Sequence, residues 1–233
     1  MILIIHPVDP STKFLIRLQN RIKHSINDGV RIFNIQPNNE SKDICIKLIG
    51  NCRPEDIIIF LGHGSTLGLH GSKGKNYDSI DFVSHSAVVE NPQLYYYDEY
   101  FINSINCEVL KDKQLICVSC YSNIFGKGIF DKGIVKSVIG FELLPTSYVE
   151  LLEILPNPNL HLVGIIKGEI TWILEKSIVH GYTYNYNFSK IGRLIQFLFQ
   201  YRIAYYLHSN NRYRYDICHV LYRMKKNMLI KGY

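Results

Sequence analysis

The sequence lacks a hydrophobic run long enough to cross a membrane without interruption. The longest apolar stretch, Ile191–Leu207, contains the polar residues Arg193, Gln196, Gln200 and Arg202. A transmembrane helix needs about 20 predominantly apolar residues, so a membrane span is not expected here. The segment Met1–His6 has no basic residues before its short apolar run, and it predicts a first strand, not a signal peptide. We therefore expect a cytoplasmic protein.

The sequence also lacks the features of a disulfide-stabilised secreted protein. It has six cysteines in 233 residues and no secretory signal. Because cytosolic thiols stay reduced, a disulfide framework is the poorer interpretation, and the thiols are available for catalysis.

Several cofactor and hydrolase motifs are missing or incomplete. The Gly-x-Ser-x-Gly elbow of serine hydrolases is absent. The segment Gly62–Gly68 has the spacing Gly-x-Gly-x-x-x-Gly, one residue longer than the dinucleotide fingerprint. The glycines and lysines of Gly71–Lys75 are suited to contact phosphate, but the segment lacks the full P-loop pattern. A nucleotide-binding regulator is therefore only an alternative hypothesis.

Basic charge is concentrated at one end of the chain. The net charge is +6, and residues 201–233 hold seven Lys or Arg against the single acid Asp216. Tyrosines are interleaved with these cations, a composition that occurs in nucleic-acid-binding segments. The alternative, which we favour, is a pair of C-terminal helices packed on the sheet with solvated cations.

Apolar runs of strand length alternate with amphipathic stretches of helix length. The pattern predicts strands at Ile2–Ile5, Val30–Ile35, Asp56–Leu61, Gln114–Ser119 and Lys136–Phe141. It predicts helices at Ser11–Ile26, Ser41–Ile49, Asp98–Val109, Ser147–Leu155, Gly164–Val179, Ser189–His208 and Arg214–Leu229. This alternation indicates a mostly parallel sheet with helices on both faces. The connection from Gly62 to Tyr97 is long for a crossover, and a hairpin around Leu67–Ser72 and Phe82–Val89 is predicted within it.

Two of the predicted strands end in reactive side chains. The run Ile57–Leu61 is followed by Gly62-His63-Gly64, and the run Gln114–Ser119 is followed by Cys120. The carboxyl ends of parallel strands meet at one edge of a sheet, where catalytic residues lie. An imidazole there can activate a thiol, and the N–H groups of Gly64 and Cys120 can hold the oxyanion.

These residues resemble those of the caspase-like cysteine peptidases, and most closely the bacterial CHAT domains of that clan. The histidine and cysteine are 57 residues apart, close to the roughly 50 of caspases. The resemblance covers about residues 1–155, including the order of the strands, although the caspase signature Gln-Ala-Cys-x-Gly is absent. It implies a three-layer α/β/α caspase-like fold with extra C-terminal helices. We assign 1–155 to the catalytic domain and 156–233 to a helical extension packed on or continuing it.

The resemblance further implies a cysteine endopeptidase in which His63 is the general base and acid and Cys120 is the nucleophile. It implies a protein or peptide substrate, a regulatory protein partner, a bacterial stress or defence role, and no cofactor or metal. The positions that match the pocket for the residue before the scissile bond (P1) offer His6 and Asp9 after the first strand and Glu142 after the strand that follows the cysteine. Two acids there favour a basic P1 residue. The alternative is that both are helix-cap or surface acids.

Three further interpretations stay open. Cys117-x-x-Cys120 has redox spacing, but Cys117 lies inside an apolar run and is better explained as a buried small hydrophobe. A zinc site from Cys218-His219 with Cys117 and Cys120 lacks a second pair with ligand spacing. The third interpretation is a non-catalytic scaffold in which the dyad is idle.

Overall fold

The computed structural model describes residues 1–7, 9–73, 76, 79, 82–90 and 100–232. Three sequence features lie partly or wholly outside them. These are the tyrosine-rich residues Leu94–Tyr97 at the end of the long connection, the last two residues of the Gly71–Lys75 segment, and the first two residues of the predicted helix Asp98–Val109.

A six-stranded sheet forms the centre of the molecule. The strands among the described residues are β1 Ile2–Pro7, β2 Val30–Ile35, β3 Ile57–Leu61, β4 Gly68–Leu69, β5 Ile102–Asn103, β6 Gln114–Val118, β7 Ser137–Gly140 and β8 Leu229–Lys231. The main sheet has the order β2-β1-β3-β6-β7-β8, and only β8 runs antiparallel to its neighbour. The short strands β4 and β5 form a separate antiparallel pair.

Helices cover both faces of this sheet. They are α1 Leu15–Ile26, α2 Asn39–Gly50, α3 His85–Glu90, α4 Ser122–Asp131, α5 Tyr148–Leu152, α6 Leu160–Thr183, α7 Phe188–Leu207 and α8 Arg214–Lys226. The predicted three-layer α/β/α architecture with a mostly parallel sheet is confirmed.

The strands form because side chains on both of their faces are apolar. One face, which includes Ile4 and Ile59, packs against α1, α6, α7 and α8. The other, which includes Ile5 and Phe60, packs against α2 and α4. Successive side chains of a strand point to opposite faces, so a strand buried on both reads as a continuous hydrophobic run.

Three local predictions were wrong. No α-helix occupies the described part of Asp98–Val109, and only a short 3₁₀ helix, Cys107–Leu110, begins there. Asn103 and Asn106 bond to nearby backbone and favour turns: the Asn106 side chain accepts from the N–H of Asn103 and donates to the carbonyl of Phe101. The predicted hairpin within 67–89 is also absent. Strand β4 pairs instead with β5, and residues 85–90 are helical.

The third error concerns the C-terminal end. The predicted helix Arg214–Leu229 ends at Lys226, and Leu229 begins the edge strand β8. The basic C-terminal segment therefore returns to the sheet beside β7. Among the described residues, no helix is both long enough and apolar enough to cross a membrane.

Candidate active site at the carboxyl edge of the sheet

The two predicted catalytic residues follow neighbouring strands. Strands β3 and β6 are parallel, with Leu61 opposite Val118, and the Gly62 N–H donates to the Val118 carbonyl at 3.2 Å. His63 and Cys120 each lie two residues beyond these paired ends. Adjacent strands are about 4.8 Å apart, so the two residues occupy neighbouring positions at one edge of the sheet.

Gly64 lies directly against the chain segment that carries the cysteine. A methyl group on Gly64 would lie 2.7 Å from the Ser119 hydroxyl oxygen and 2.9 Å from the Cys120 carbonyl oxygen. Only glycine fits this approach. In the described part of the chain, no hydrogen bond engages the N–H of Gly64 or that of Cys120. The two predicted oxyanion donors are therefore both unpaired.

The imidazole of His63 contacts the loop after β1. Its Nε2 lies 2.6 Å from the Ser11 hydroxyl and 3.7 Å from Asp9 Oδ1, and its side chain is 40% exposed. Ser11 was predicted to begin a helix. Instead it lies in a short 3₁₀ turn, Pro10–Thr12, and α1 begins at Leu15. The turn brings a hydroxyl and a carboxylate onto the candidate base.

Asp9 is a buried carboxylate held by the same turn. Its Oδ1 accepts from the Ser11 N–H at 2.8 Å and from the Ser11 hydroxyl at 2.5 Å. Its Oδ2 lies 3.6 Å from Lys73 Nζ and has no hydrogen-bond partner among the described residues. Burial raises the pKa of Asp9, but the interactions with His63 and Ser11 outweigh it, so the net pKa of this carboxyl is well below its usual range. Asp9 is therefore ionised beside His63.

Strand β1 places a second histidine close by. His6 is buried, and its Nε2 lies 3.1 Å from the Thr12 hydroxyl. Burial lowers the pKa of His6 to about 4, so this imidazole is neutral at physiological pH.

The environment of the Cys120 thiol differs from that of the His63 imidazole. Its Sγ lies 3.4 Å from the Leu144 N–H, 3.7 Å from the Leu144 carbonyl oxygen and 3.7 Å from Glu150 Oε1. Burial, together with the smaller effect of the Glu150 carboxylate, raises the pKa of this thiol to about 12. In this conformation the thiol is protonated.

The carboxylate of Glu150 is itself fixed in place. Its Oε2 accepts from the Thr146 N–H at 2.8 Å and from the Thr146 hydroxyl at 3.2 Å. Ser147 caps the helix α5 on which Glu150 lies. Tyr121, the residue after Cys120, adopts the left-handed conformation with φ of 55°, which ends the strand segment and lets α4 begin at Ser122. The thiol thus lies between a left-handed turn and a fixed carboxylate.

The structure brings some of the predicted site residues together and leaves others apart. Asp9, His63 and Gly64 lie on one side of the edge, and Gly64 reaches Cys120. No hydrogen bond joins His63 to Cys120 within the described residues, since the thiol is directed to Leu144 and Glu150. The dyad is adjacent by backbone position, but its side chains have other partners.

The two acids predicted to bind substrate do not share one partner. Asp9 follows β1 and Glu142 follows β7, three strand spacings or about 14 Å apart. Glu142 Oε2 accepts from the Asn227 side-chain amide at 2.5 Å and lies 3.9 Å from Arg223 Nε. Its side chain remains 33% exposed. Asp9 is directed to His63, whereas Glu142 is still accessible to a ligand.

The redox hypothesis for Cys117 and Cys120 has no geometric support. The Cys117 side chain lies in the core on the α2 and α4 face, whereas Cys120 packs against the core on the opposite face. Burial raises the pKa of the Cys117 thiol far above its usual value. All six cysteines are free, and no group of three or more metal-ligating side chains is found in the described part of the chain.

Sequence reasoning missed two residues of this site. Ser11 was assigned to a helix, although the order Asp9-Pro10-Ser11 directly after a strand is typical of a turn in which the aspartate accepts from the backbone two residues later. Glu150 lies 30 residues from Cys120 on a short helix, and no spacing rule points to it. The chain matches no protein-family model, no curated protein and no solved structure.

Proposed function

We propose that this chain is a cysteine peptidase with the dyad His63–Cys120, and that the structure represents its resting state. The observation that supports this most is the register of β3 and β6. The pairing of Leu61 with Val118 puts an imidazole and a thiol at equivalent positions beyond neighbouring strand ends. Such placement of a nucleophile and its base from distant sequence is what thiol catalysis requires.

The backbone donors provide further support. Gly64 and Cys120 contribute unpaired N–H groups from adjacent segments in the described part of the chain. Donors of this kind stabilise the oxyanion that forms when a carbonyl is attacked, and loss of one costs about 3 to 4 kcal/mol of transition-state stabilisation.

The chemistry then follows a defined order. His63 takes the proton of the Cys120 thiol, and Sγ forms a bond to the scissile carbonyl carbon. The protonated His63 gives the proton to the leaving amine as the C–N bond breaks, leaving a thioester. Water, deprotonated by His63, hydrolyses the thioester and restores the thiol. Asp9 and Ser11 orient the imidazole throughout.

The resting state follows from the environment of the thiol. With a pKa of about 12, Cys120 is protonated and is a weak nucleophile. Activation requires the thiol to leave Leu144 and Glu150 and turn toward His63. A cytoplasmic enzyme held in this way fits regulated cleavage of a partner protein, and a regulatory protein that displaces α5 would supply the signal.

Hydrolysis of fluorogenic peptides that end in Arg, Lys, Asp or Leu tests the proposal. The wild type, Glu150→Gln, and Glu150→Gln combined with Cys120→Ala or His63→Ala are compared. We expect hydrolysis to increase in Glu150→Gln and to disappear when either dyad residue is removed. Hydrolysis that survives Cys120→Ala would exclude the thiol mechanism.

A second candidate function uses Ser11 as the nucleophile. Its hydroxyl oxygen lies 2.6 Å from His63 Nε2, a contact that Cys120 lacks in this conformation. The hydroxyl proton is donated to Asp9 here, so it has to turn to Nε2 before Ser11 can attack. A serine beside a base can attack a carbonyl in the same way.

The variants Ser11→Ala and Cys120→Ala separate the two candidates. A thiol peptidase loses its activity in Cys120→Ala and retains a measurable part of it in Ser11→Ala, where only the orientation of His63 suffers. A serine hydrolase gives the opposite pattern and resists alkylating reagents.

A further inference from the structure

A groove crosses one helical face of the molecule, between α1 and the helix pair α6 and α7. It consists of two adjoining cavities of about 600 and 490 Å³ that share Ser25 and Glu175 as lining residues. The first cavity is lined mainly by α1, and the second by α6 and α7. The groove takes no part in the chemistry proposed for the sheet edge.

One wall of the groove is basic. Lys13, just before α1, and Arg17 and Arg21 within it line the wall at intervals of four residues, and all three are exposed. Four residues of helix rise about 6 Å, so these cations form a row along the groove. Arg21 pairs with Glu175 at 3.0 Å, and within the described residues neither Lys13 nor Arg17 is paired with a carboxylate.

The adjoining second cavity has an aromatic wall. Trp172, His180 and Tyr184 line it, and Tyr184 is 62% exposed. The Trp172 ring stacks on Tyr201 with centroids 6.3 Å apart and an interplanar angle of 21°, and the centroid of the His180 ring lies 4.4 Å from that of Tyr184. Tyr184 therefore presents an accessible ring next to the row of cations, and Trp172 lies behind it between Tyr201 and the Arg202 guanidinium.

Charge in the groove is predominantly positive. Glu175 is the single carboxylate among the described lining residues, and its two oxygens are held by Arg21 and by Lys176 at 3.5 Å. An acidic ligand would therefore meet three cations whose charge is not neutralised within the groove, namely Lys13, Arg17 and one of the two that share Glu175.

The basic C-terminal segment, whose composition is also typical of nucleic-acid-binding segments, is differently engaged. Arg202 forms two hydrogen bonds with Glu169, at 2.5 and 2.7 Å, and Arg214 donates to the Ser209 carbonyl. Arg223 donates to the Glu153 carbonyl, and Lys225 to the Gln200 side chain. Most of those cations serve packing between helices, whereas Lys13 and Arg17 do not.

We propose that the groove between α1, α6 and α7 binds single-stranded nucleic acid, with phosphates on Lys13, Arg17 and Arg21 and bases stacked on the aromatic wall. A row of cations beside flat aromatic faces is the arrangement by which proteins hold single strands without sequence preference. In a duplex the base faces are already stacked and cannot reach the rings.

The single tryptophan of the chain provides the readout, because Trp172 lies in the groove. We would titrate the full chain with mixed-sequence single-stranded DNA and RNA of about 16 nucleotides, following Trp172 fluorescence and the anisotropy of the labelled strand. We expect quenching, and binding that weakens steeply between about 50 and 200 mM salt. The DNA and RNA arms show which sugar is preferred.

Two charge-reversed double variants locate the site. Lys13→Glu with Arg17→Glu should weaken binding at least tenfold and lower the salt slope by roughly 1.4, or about 0.7 for each phosphate of a single strand that the variant no longer neutralises. Lys127→Glu with Lys132→Glu makes the same charge change on exposed residues in the middle of α4 and just beyond its end, on the opposite side of the sheet. That control should change affinity less than threefold. Tyr184→Ala tests stacking and should weaken binding about fivefold or more.

Four results would overturn the proposal. The first is no quenching and no anisotropy change at low salt. The second is equal weakening by the α4 control, which would mean diffuse charge attraction. The third is displacement of the strand by a poly-glutamate peptide at equal charge concentration, which would identify a site for acidic proteins. The fourth is a duplex that binds as tightly as the single strand, which would exclude the stacking arrangement.

Discussion

The two halves of the sheet edge hold their reactive groups in opposite electrostatic states. At the ends of β1 and β3, the carboxylate of Asp9 is ionised and the imidazole of His63 is half exposed and hydrogen-bonded. At the ends of β6 and β7, the thiol of Cys120 is partly buried beside the carboxylate of Glu150 and is protonated. One half holds an ionised carboxylate beside an accessible imidazole, and the other keeps its thiol protonated.

The position of a side chain in the fold and its protonation state are therefore set by different parts of the structure. Strand register alone brings His63 and Cys120 to the same edge. Whether they act together depends on side chains from α5 and from the turn after β1, neither of which the register determines. Substitutions in each half test this difference, beginning with the residue whose change should affect stability most.

The buried His6 should make the stability of the protein decrease in acid. Its pKa falls from 6.5 in the unfolded chain to about 4 in the folded protein, so between these values the unfolded state binds more protons. Stability is therefore fully present above about pH 6.5 and decreases as the pH falls toward 4, by about 3 kcal/mol in total. Urea unfolding of the wild type and of His6→Gln at pH 7 and pH 4 measures this. A difference between the two that does not depend on pH would contradict it.

Asp9→Asn should lower the free energy of unfolding, because it removes an ionised hydrogen-bond acceptor at the end of β1. The carboxylate accepts twice from Ser11, and hydrogen bonds to a charged group contribute about 1.5 to 3 kcal/mol. Because the folded pKa of Asp9 is lowered, this stability is present above the unfolded value near 4 and is lost as the pH falls further. We expect a loss of about 2 kcal/mol at pH 7 that shrinks in acid. The exposed Asp131→Asn is the control and should change stability by less than about 0.5 kcal/mol.

Glu150→Gln should make the Cys120 thiol, in the half at the ends of β6 and β7, more reactive. Removing the negative charge beside Cys120 lowers the pKa of the thiol, while the amide oxygen still accepts from Thr146. We expect alkylation of Cys120 by iodoacetamide at pH 8 to become about tenfold faster, since a change of one pKa unit is about 1.4 kcal/mol. Peptide mapping of the alkylated protein distinguishes Cys120 from Cys117. An equal acceleration in Glu153→Gln would show that the effect is not specific to Glu150.

Glu142→Gln should give the smallest effect and tests substrate preference. The carboxylate is partly exposed and contacts Asn227 and Arg223, so the free energy of unfolding should change by less than about 1 kcal/mol. If Glu142 binds a basic P1 side chain, kcat/KM for peptides ending in Arg or Lys falls about fivefold and that for Leu does not change. An unaltered preference would return Glu142 to the role of a surface acid.

The sequence allowed the sheet to be predicted because its strands are buried on both faces. Ile57–Leu61 and Gln114–Val118 are nearly continuous apolar runs, and the reactive residues come directly after them. The segment 98–109 was not predictable in the same way, because the helix propensity of its apolar residues competes with local bonds from Asn103 and Asn106. Short strands such as β8 give too little periodicity to be separated from the end of a helix.

The residues of the candidate site could likewise be predicted only where they depend on local sequence. His63, Gly64 and Cys120 follow from motif and strand order, which depend on local sequence. The partners of the thiol do not, since Glu150 and Leu144 reach it from a helix and a loop distant in the chain. Asp9 was expected to face a substrate and lies instead against His63, because the turn at Pro10 directs its carboxylate inward.

The most direct test of this account is the alkylation rate of Cys120 in Glu150→Gln, measured with and without His63→Ala at pH 7.5. If the released thiol turns to His63, the imidazole takes its proton, and the additional His63→Ala change should slow alkylation at least tenfold. The same rate in both variants would mean that His63 does not act on Cys120, and it would contradict the proposed dyad.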